Sequence, residues 1–156
     1  MDPLLELALS VKALQREFER QANELMRPLG LTGAQAEAVT VIGQAEPLSL
    51  RELGSLMIAE AGHPSRLVDR LVAAGLVERR MADDDRRRVE LSLTAHGRAL
   101  DVRVRSARQS ALDAGRQVLG DRDLAPVAGL VRELLSRTQF GELIERRRRL
   151  DAAEHK

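Results

Sequence analysis

The segment from residue 62 to residue 93 constrains the fold of this 156-residue chain more than any other segment. Its first part, Gly62 to Gly75, has a helix start, an apolar stripe at helical spacing and a glycine stop. Its middle is a charged loop with three consecutive arginines, and its last part, Val89 to Leu93, alternates apolar and polar residues as a half-buried strand does. The segment therefore predicts a short helix followed by a β-hairpin with a basic tip.

The helix in this segment is the second of two short helices. Ser49 and Glu52 form a capping box that starts the first one, which we expect to run to about Ile58. The second helix starts near Pro64, because a first-turn amide has no partner within the helix, and Gly75 is suited to a left-handed cap. Two short helices joined by a glycine-containing turn are typical of a helix-turn-helix. The apolar side of the second helix is predicted to consist of Leu67, Val68, Leu71 and Val72.

The hairpin is predicted to pair residues 76–80 with residues 89–93 as antiparallel strands. Val89, Leu91 and Leu93 share one face of the second strand. The charged loop between the strands makes this hairpin a "wing". A short helix and a basic wing together suit contact with two grooves of DNA.

Long amphipathic helices are predicted at both ends of the chain. Residues 2–27 form one, which carries an apolar row too long for packing on one small lobe and is therefore a candidate for contact with a second chain. Thr94 caps another that runs to about Val118, and a last helix starts at Asp121 or Asp123 and is interrupted at Gly141. Residues 145–156, which include the basic run 146–149, are expected to be frayed and solvated. The apolar row of the first helix is Leu4, Leu7, Val11, Leu14, Phe18 and Leu25.

The predicted fold class is mainly α with a small β-hairpin, in which long terminal dimerisation helices flank a winged helix-turn-helix. We expect a single domain over residues 1–156. Within it, residues 32–95 form the DNA-binding lobe, and residues 1–30 and 96–150 form the helical dimerisation lobe.

The sequence from Asp85 to Gly97 resembles the wing signature of the multiple antibiotic resistance regulator (MarR) family. That signature is Asp-x-Arg followed by a strand ending Leu-Thr-x-x-Gly, and this chain has Asp85-Arg86-Arg87 and then Leu93-Thr94-Ala95-His96-Gly97. The stretches 67–71 and 75–79 are similar to the end of that family's recognition helix and its first wing strand. The length and the order of helices match over nearly the whole chain.

The resemblance implies a transcription regulator, usually a repressor, that works as a homodimer and is often released from DNA by a small-molecule effector. The N- and C-terminal helices of the two copies would interleave. A two-fold symmetric dimer is expected to bind double-stranded DNA at a pseudo-palindromic operator, with half-sites about 10 bp or a multiple of it apart. No residue is assigned to an effector. The expected location is the cytoplasm.

The same resemblance implies roles for individual residues. Arg87 would enter the minor groove, and Asp85 would position it through a salt bridge. Ser65, Arg66 and Arg70 would lie in or near the major groove. Family members often open this helix with Ser and Thr, whereas this chain has Gly62-His63-Pro64.

Each of these residues also has an alternative interpretation from the sequence alone. Arg86, Arg87 and Arg88 are candidate DNA contacts because a hairpin-tip arginine suits the negative potential of a narrow minor groove, but a charge run is usually just solvated. Arg66 contacts a guanine edge or a phosphate and Arg70 contacts a phosphate, or both are surface arginines of which one pairs with Asp69 or Glu78. Ser65 is a helix cap or a DNA contact. His63 is an exposed or capping residue or a phosphate contact.

Composition limits the other classes of function. The formal net charge is +1, so binding to nucleic acid requires a local basic patch. The chain has no cysteine and no apolar run near the ~18 residues that a membrane span needs, and its first residues are not a signal peptide. Its three histidines have no metal-ligand spacing, and no nucleophile or phosphate loop is evident, so we predict no metal, no cofactor and no enzyme activity. The alternative function is a winged helix that contacts proteins without specific DNA binding.

Overall fold

The computed structural model describes residues 1–59, 64–82 and 88–154, which form a mainly helical chain with a small antiparallel sheet, so the predicted fold class is confirmed. Elements of these residues are, in chain order, α1 (Pro3–Met26), a 3-10 turn (Arg27–Leu29), α2 (Gly33–Ala45), β1 (Leu48–Ser49), α3 (Leu50–Leu56), α4 (Pro64–Ala73), β2 (Val77–Met81), β3 (Val89–Leu93), α5 (Ala95–Leu119), α6 (Ala125–Leu135) and α7 (Gln139–Glu154).

Side-chain caps begin the first three α-helices. The Asp2 carboxylate accepts a hydrogen bond of 2.8 Å from the backbone N–H of Leu4, which begins α1. Thr32 caps α2 in a capping box with Gln35. Ser49 caps α3, where its hydroxyl accepts from the backbone N–H of Glu52 at 3.2 Å. Local caps therefore define the helix starts independently of the core.

The sheet has three strands in the order β1-β3-β2, all antiparallel. In the hairpin Val77 lies opposite Leu93 and Met81 lies opposite Val89, so the predicted pairing is correct. The third strand, β1, places Leu48 opposite Leu91. Sequence reasoning missed it, because a two-residue strand has no alternation to detect.

The core lies where α2 meets α4, α5 and the sheet. Helix α2 is buried along most of its middle because alanines there allow neighbouring elements to approach closely. Helix α5 contributes to this core only through its first half, which includes Leu100 and Val104. The largest side chains with less than 2% exposure include Ile42, Leu53, Met57, Leu67, Leu71, Leu91 and Leu93.

The terminal helices leave large apolar side chains exposed. The row predicted on α1 is present, and five of its members are more than 40% exposed: Leu4, Leu7, Val11, Leu14 and Phe18. A second row on α6 is exposed to a similar extent and consists of Val127, Leu130, Val131 and Leu134. None of the described helices combines the length and the apolarity that are needed to cross a membrane.

Two expectations about the C-terminal segment are wrong. The last helical segment breaks at residues 136–138 and not at Gly141, where a Cβ would meet the carbonyl oxygen of Leu135 at 2.7 Å. Residues 145–154 are helical and not frayed, because α7 packs against α2 and α3. Leu143 is buried, and Leu150 packs against the core.

Candidate nucleic-acid interface

Helix α4 packs against α2, α3 and β2 through one apolar face. Leu67, Val68 and Leu71 on that face have 1% exposure or less. They lie at spacings of one, three and four residues, which a helix brings to one side. The opposite side of α4 is therefore held outward on a rigid base.

The outward side of α4 carries Ser65, Arg66 and Arg70, all exposed. Within the part of the chain that the structure describes, neither arginine makes a hydrogen bond or an ion pair, and the Ser65 hydroxyl caps no amide. The two carboxylates considered as partners are engaged elsewhere. Asp69 bonds Arg79 at 2.6 Å, and Glu78 bonds Arg80 at 2.7 Å. The guanidinium donors of Arg66 and Arg70 are thus available to an external acceptor.

A glycine and a threonine join the end of α4 to the start of α5. Gly75 adopts the predicted left-handed conformation with φ 68°, so the backbone turns sharply into β2. The Thr94 hydroxyl donates to the carbonyl of Gly75 at 2.7 Å and accepts from the N–H of Gly97 at 2.9 Å. Thr94 therefore caps α5 and fixes it to the turn that ends α4 at the same time.

The structure describes the base of the wing, which includes Ala82 and Arg88, but not residues 83–87 between them. Arg88 forms an ion pair with Glu90 at 3.1 Å, and its carbonyl accepts from the N–H of Ala82 at 2.8 Å. Hydrogen bonds from Ser49 lower the pKa of the Glu52 carboxyl, and the positive charge of Arg88 lowers it further. Arg88 is thus held among carboxylates at the wing base. The other predicted wing and helix-start residues, His63, Asp85, Arg86 and Arg87, lie outside the described residues.

Glu46 links the wing to α5, and sequence reasoning did not identify it. Its carboxylate accepts from the backbone N–H of Leu93 at 2.6 Å and pairs with Arg98 in the second turn of α5. These partners are 47 and 52 positions away in the sequence, so no local pattern could indicate them. The contact holds β3, and with it the wing, against the long helix.

A group of charged side chains from α2, α5 and α7 interacts electrostatically. Arg105 bonds Asp101 at 2.8 Å, and Asp101 is 7% exposed. Burial lowers the pKa of Arg108, and the nearby positive charge of Arg147 lowers it further, while Glu37 acts in the opposite direction. The sequence places these residues on three helices, so their proximity is a tertiary effect. Among the described residues, no group of three or more His, Asp or Glu side chains has a geometry suited to a metal ion.

Three similarities to known proteins bear on this arrangement. A family model described as a winged helix DNA-binding domain matches residues 31–97. The multiple antibiotic resistance protein MarR of Escherichia coli is 31% identical over 97 residues, which are 62% of this chain and 67% of that protein. The organic hydroperoxide resistance transcriptional regulator of Bacillus subtilis is 26% identical over 115 residues, or 74% of each chain.

Among solved structures, the fold is similar to that of a mutant E. coli MarR in complex with operator DNA. The TM-score is 0.75 at 26% identity, and the match covers 85% of this chain and 95% of the other. The similarity extends beyond the winged helix into the terminal helices, which the family model does not include.

Proposed function

Because this chain belongs to the MarR family of transcriptional regulators, we propose that it acts as a homodimeric repressor that binds a pseudo-palindromic operator. The family consists of regulators and not of enzymes, which confirms the prediction that the chain is not an enzyme. Regulation of transcription through a winged helix DNA-binding domain is a property of the family. The operator, the repressor role, the dimer and the effector belong to our proposal.

The observation that carries the proposal is the outward face of α4. Arg66 and Arg70 are exposed, four residues apart on one helix, and have no partner among the described residues. Arginine binds guanine edges and phosphates through two parallel hydrogen bonds, so this face suits the major groove. Ser65, one position before Arg66, supplies a smaller donor to the same groove or backbone.

The wing completes the proposed interface. Arg87 would enter the minor groove, where narrow segments have an enhanced negative potential, and Asp85 would orient it through an ion pair. Arg86 and Arg88 would contact the adjacent backbone, although Arg88 must first give up part of its pairing with Glu90. His63, at the start of the recognition helix, would contact a phosphate.

The exposed apolar rows support the homodimer. Monomeric proteins rarely leave large contiguous apolar surfaces open to water, and such surfaces mark contacts with other chains. Both rows lie outside residues 32–95. We therefore assign residues 32–95 to the DNA-binding lobe, and residues 1–30 and 96–150 to the helical lobe that sets the distance between two copies of α4.

Release by a small-molecule effector would depend on the distance between the two copies of α4. A ligand that prefers a dimer with its recognition helices at the wrong spacing weakens DNA binding by the ratio of its affinities for the two states. With two phenylalanines and no tryptophan or tyrosine, the chain offers little aromatic stacking to such a ligand. We assign no residue to it.

Operator binding is testable by fluorescence anisotropy with DNA from the protein's own promoter. We expect the wild type to bind this DNA at least about a thousandfold more tightly than a scrambled duplex, with an affinity that falls steeply as salt increases. Arg87→Ala should weaken specific binding by roughly 10- to 100-fold, equivalent to about 1–3 kcal/mol. Arg16→Ala is the control and should leave binding unchanged, because Arg16 is exposed on the side of α1 opposite the apolar row.

Equal affinity for promoter and scrambled DNA would contradict the proposal. That result is the one expected of a winged helix that contacts proteins only. Wild-type affinity in a folded Arg87→Ala dimer would contradict the wing assignment alone.

A further inference from the structure

The carboxylate of Glu37 holds the chain where α3 ends. Its two oxygens accept hydrogen bonds from the backbone N–H groups of Ile58 and Ala59, each at 3.0 Å. The side chain of Glu37 is 12% exposed, so these charge-assisted bonds are shielded from water. Helix α4 begins only five positions after Ala59 in the sequence. Glu37 therefore fixes the chain at Ile58 and Ala59, between the end of α3 and the start of α4.

Arg147 from the C-terminal helix reaches the same point. Its Nη1 atom lies 3.8 Å from Oε1 of Glu37 and donates a hydrogen bond of 3.3 Å to the carbonyl of Leu56. The Arg147 side chain is 20% exposed. Since Leu56 is the last residue of α3, one guanidinium joins α7 to both α2 and the end of α3.

Neighbouring charges affect the ion pair between Arg147 and Glu37. Arg108 lies close enough to repel Arg147, and burial and this repulsion lower the pKa of Arg108. Glu37 attracts both arginines. Partly buried charges interact more strongly than surface charges, because less water screens them. Arg147 is thus attracted by Glu37, repelled by Arg108 and hydrogen-bonded to the carbonyl of Leu56.

We propose that Arg147 and Glu37 are positioning residues through which α7 sets the orientation of the recognition helix. In this role Glu37 binds the backbone ahead of α4, and Arg147 fixes Glu37 and the end of α3 to the C-terminal helix. The effect on DNA rests on the proposed operator binding. A shift of α7 in the helical lobe would then be transmitted to α4 through these two side chains.

A neighbouring pair on α7 provides the contrast. Arg148 forms an ion pair of 2.9 Å with Glu145 on the same helix, and both side chains are about half exposed. Such a pair stabilises α7 locally, and among the described residues the hydrogen-bond partner of Arg148 is Glu145 on the same helix. Arg148 and Arg147 have the same charge and adjacent positions, so substitutions at the two sites separate positioning from helix stability.

The experiment compares Arg147→Met, Glu37→Gln and the double variant with the control Arg148→Met. Methionine retains most of the arginine side-chain length without the charge. Glutamine retains the shape of Glu37 but replaces one carboxylate oxygen with an NH2 group. That group cannot accept from a backbone N–H, so one of the two bonds to Ile58 and Ala59 is lost in this geometry. Three quantities are measured for the full-length protein: operator affinity by anisotropy, amide hydrogen exchange of Ile58 and Ala59 by NMR, and stability in urea.

We expect Arg147→Met and Glu37→Gln each to weaken operator binding by about tenfold and to speed exchange at Ile58 and Ala59 by about tenfold. The double variant should resemble the singles, because each single already breaks the same connection. Arg148→Met should leave binding and exchange within about twofold of the wild type.

Identical binding and exchange in Arg147→Met and Arg148→Met would overturn the proposal. A loss of stability in Arg147→Met without faster exchange at Ile58 and Ala59 would also overturn it, because that is the result of a merely structural role. If the wild type binds operator and scrambled DNA equally, the proposed function is wrong. The hydrogen-exchange comparison of Arg147→Met with Arg148→Met still decides whether Arg147 holds the backbone at Ile58 and Ala59.

Discussion

The DNA-binding lobe and the terminal helices use the same residue types in opposite ways. In the lobe, Leu53 and Leu71 are completely buried, whereas on the terminal helices Leu130 is 54% exposed and Phe18 is 60% exposed. The lobe buries most of its large apolar side chains within one chain, with Ile58, Met81 and Val89 as exceptions. Helices α1 and α6 leave most of theirs exposed, so another surface must cover them. This difference is the physical basis for the dimer that we propose.

The free energy available from burying the exposed side chains is large compared with the free energy of unfolding of a small domain. Complete burial of one leucine or valine side chain stabilises by about 1.5–3 kcal/mol. The α6 row alone has four such side chains, each more than 40% exposed in one copy of the chain. Their burial between two copies would match the total stability of a typical small domain, about 5–15 kcal/mol.

A charge introduced into the α6 row should have the largest effect of these variants, because it should dissociate the dimer. Leu130→Glu would bury an unpaired carboxylate in each copy, which costs about 3 kcal/mol or more per copy and should dissociate the dimer. Sedimentation equilibrium measures the change. Arg132→Ala shifts the charge by the same amount and lies two residues along the helix, on another face, so it should leave the dimer intact. A dimer unaffected by Leu130→Glu would remove α6 from the interface.

A cavity in the lobe should have the next largest effect. Leu71→Ala removes a fully buried side chain and should lower the free energy of unfolding by about 2–5 kcal/mol. Because this contact lies within one chain, the loss should be the same at all protein concentrations in urea denaturation. A loss that varied with concentration would mean that the lobe, like the terminal helices, depends on a second chain.

Two glycines of α5 should respond with opposite signs and smaller effects. A Cβ at Gly97 would overlap the backbone carbonyl of Leu76, so Gly97→Ala should destabilise by about 1–3 kcal/mol. At Gly115 a Cβ would meet nothing within 4 Å, and Gly115→Ala should stabilise by about 0.5–1 kcal/mol through helix propensity. Thermal unfolding of both variants tests this. Destabilisation by Gly115→Ala would indicate that a partner chain packs closely at that position.

Local signals explain how much of the fold could be predicted from the sequence. Thr32, Ser49 and Thr94 cap helices through hydrogen bonds to residues three positions away, so their effect is present in the sequence itself. The turn at Gly75 is also local, and the hairpin pairs residues 8 to 16 positions apart across one loop. The resemblance to the MarR family, found in the wing motif, is confirmed by the relatives of this chain.

Long-range contacts explain what sequence reasoning missed. Glu46 bonds Leu93, and Arg147 reaches Glu37, across separations that no local pattern spans. The helical state of residues 145–154 also depends on packing against α2 and α3. In the candidate site, the sequence identified Arg66 and Arg70 as exposed. Only the structure revealed that Asp69 and Glu78, their candidate partners, bind Arg79 and Arg80 instead.

The central claim is that the terminal helices hold two copies of α4 at a fixed spacing on DNA. The most direct test is anisotropy with the natural operator and with one that has about 5 bp, half a helical turn, inserted between its half-sites. We predict two chains per operator and an affinity that falls to the level of scrambled DNA after the insertion. One chain per operator, or equal affinity for both duplexes, would contradict the account.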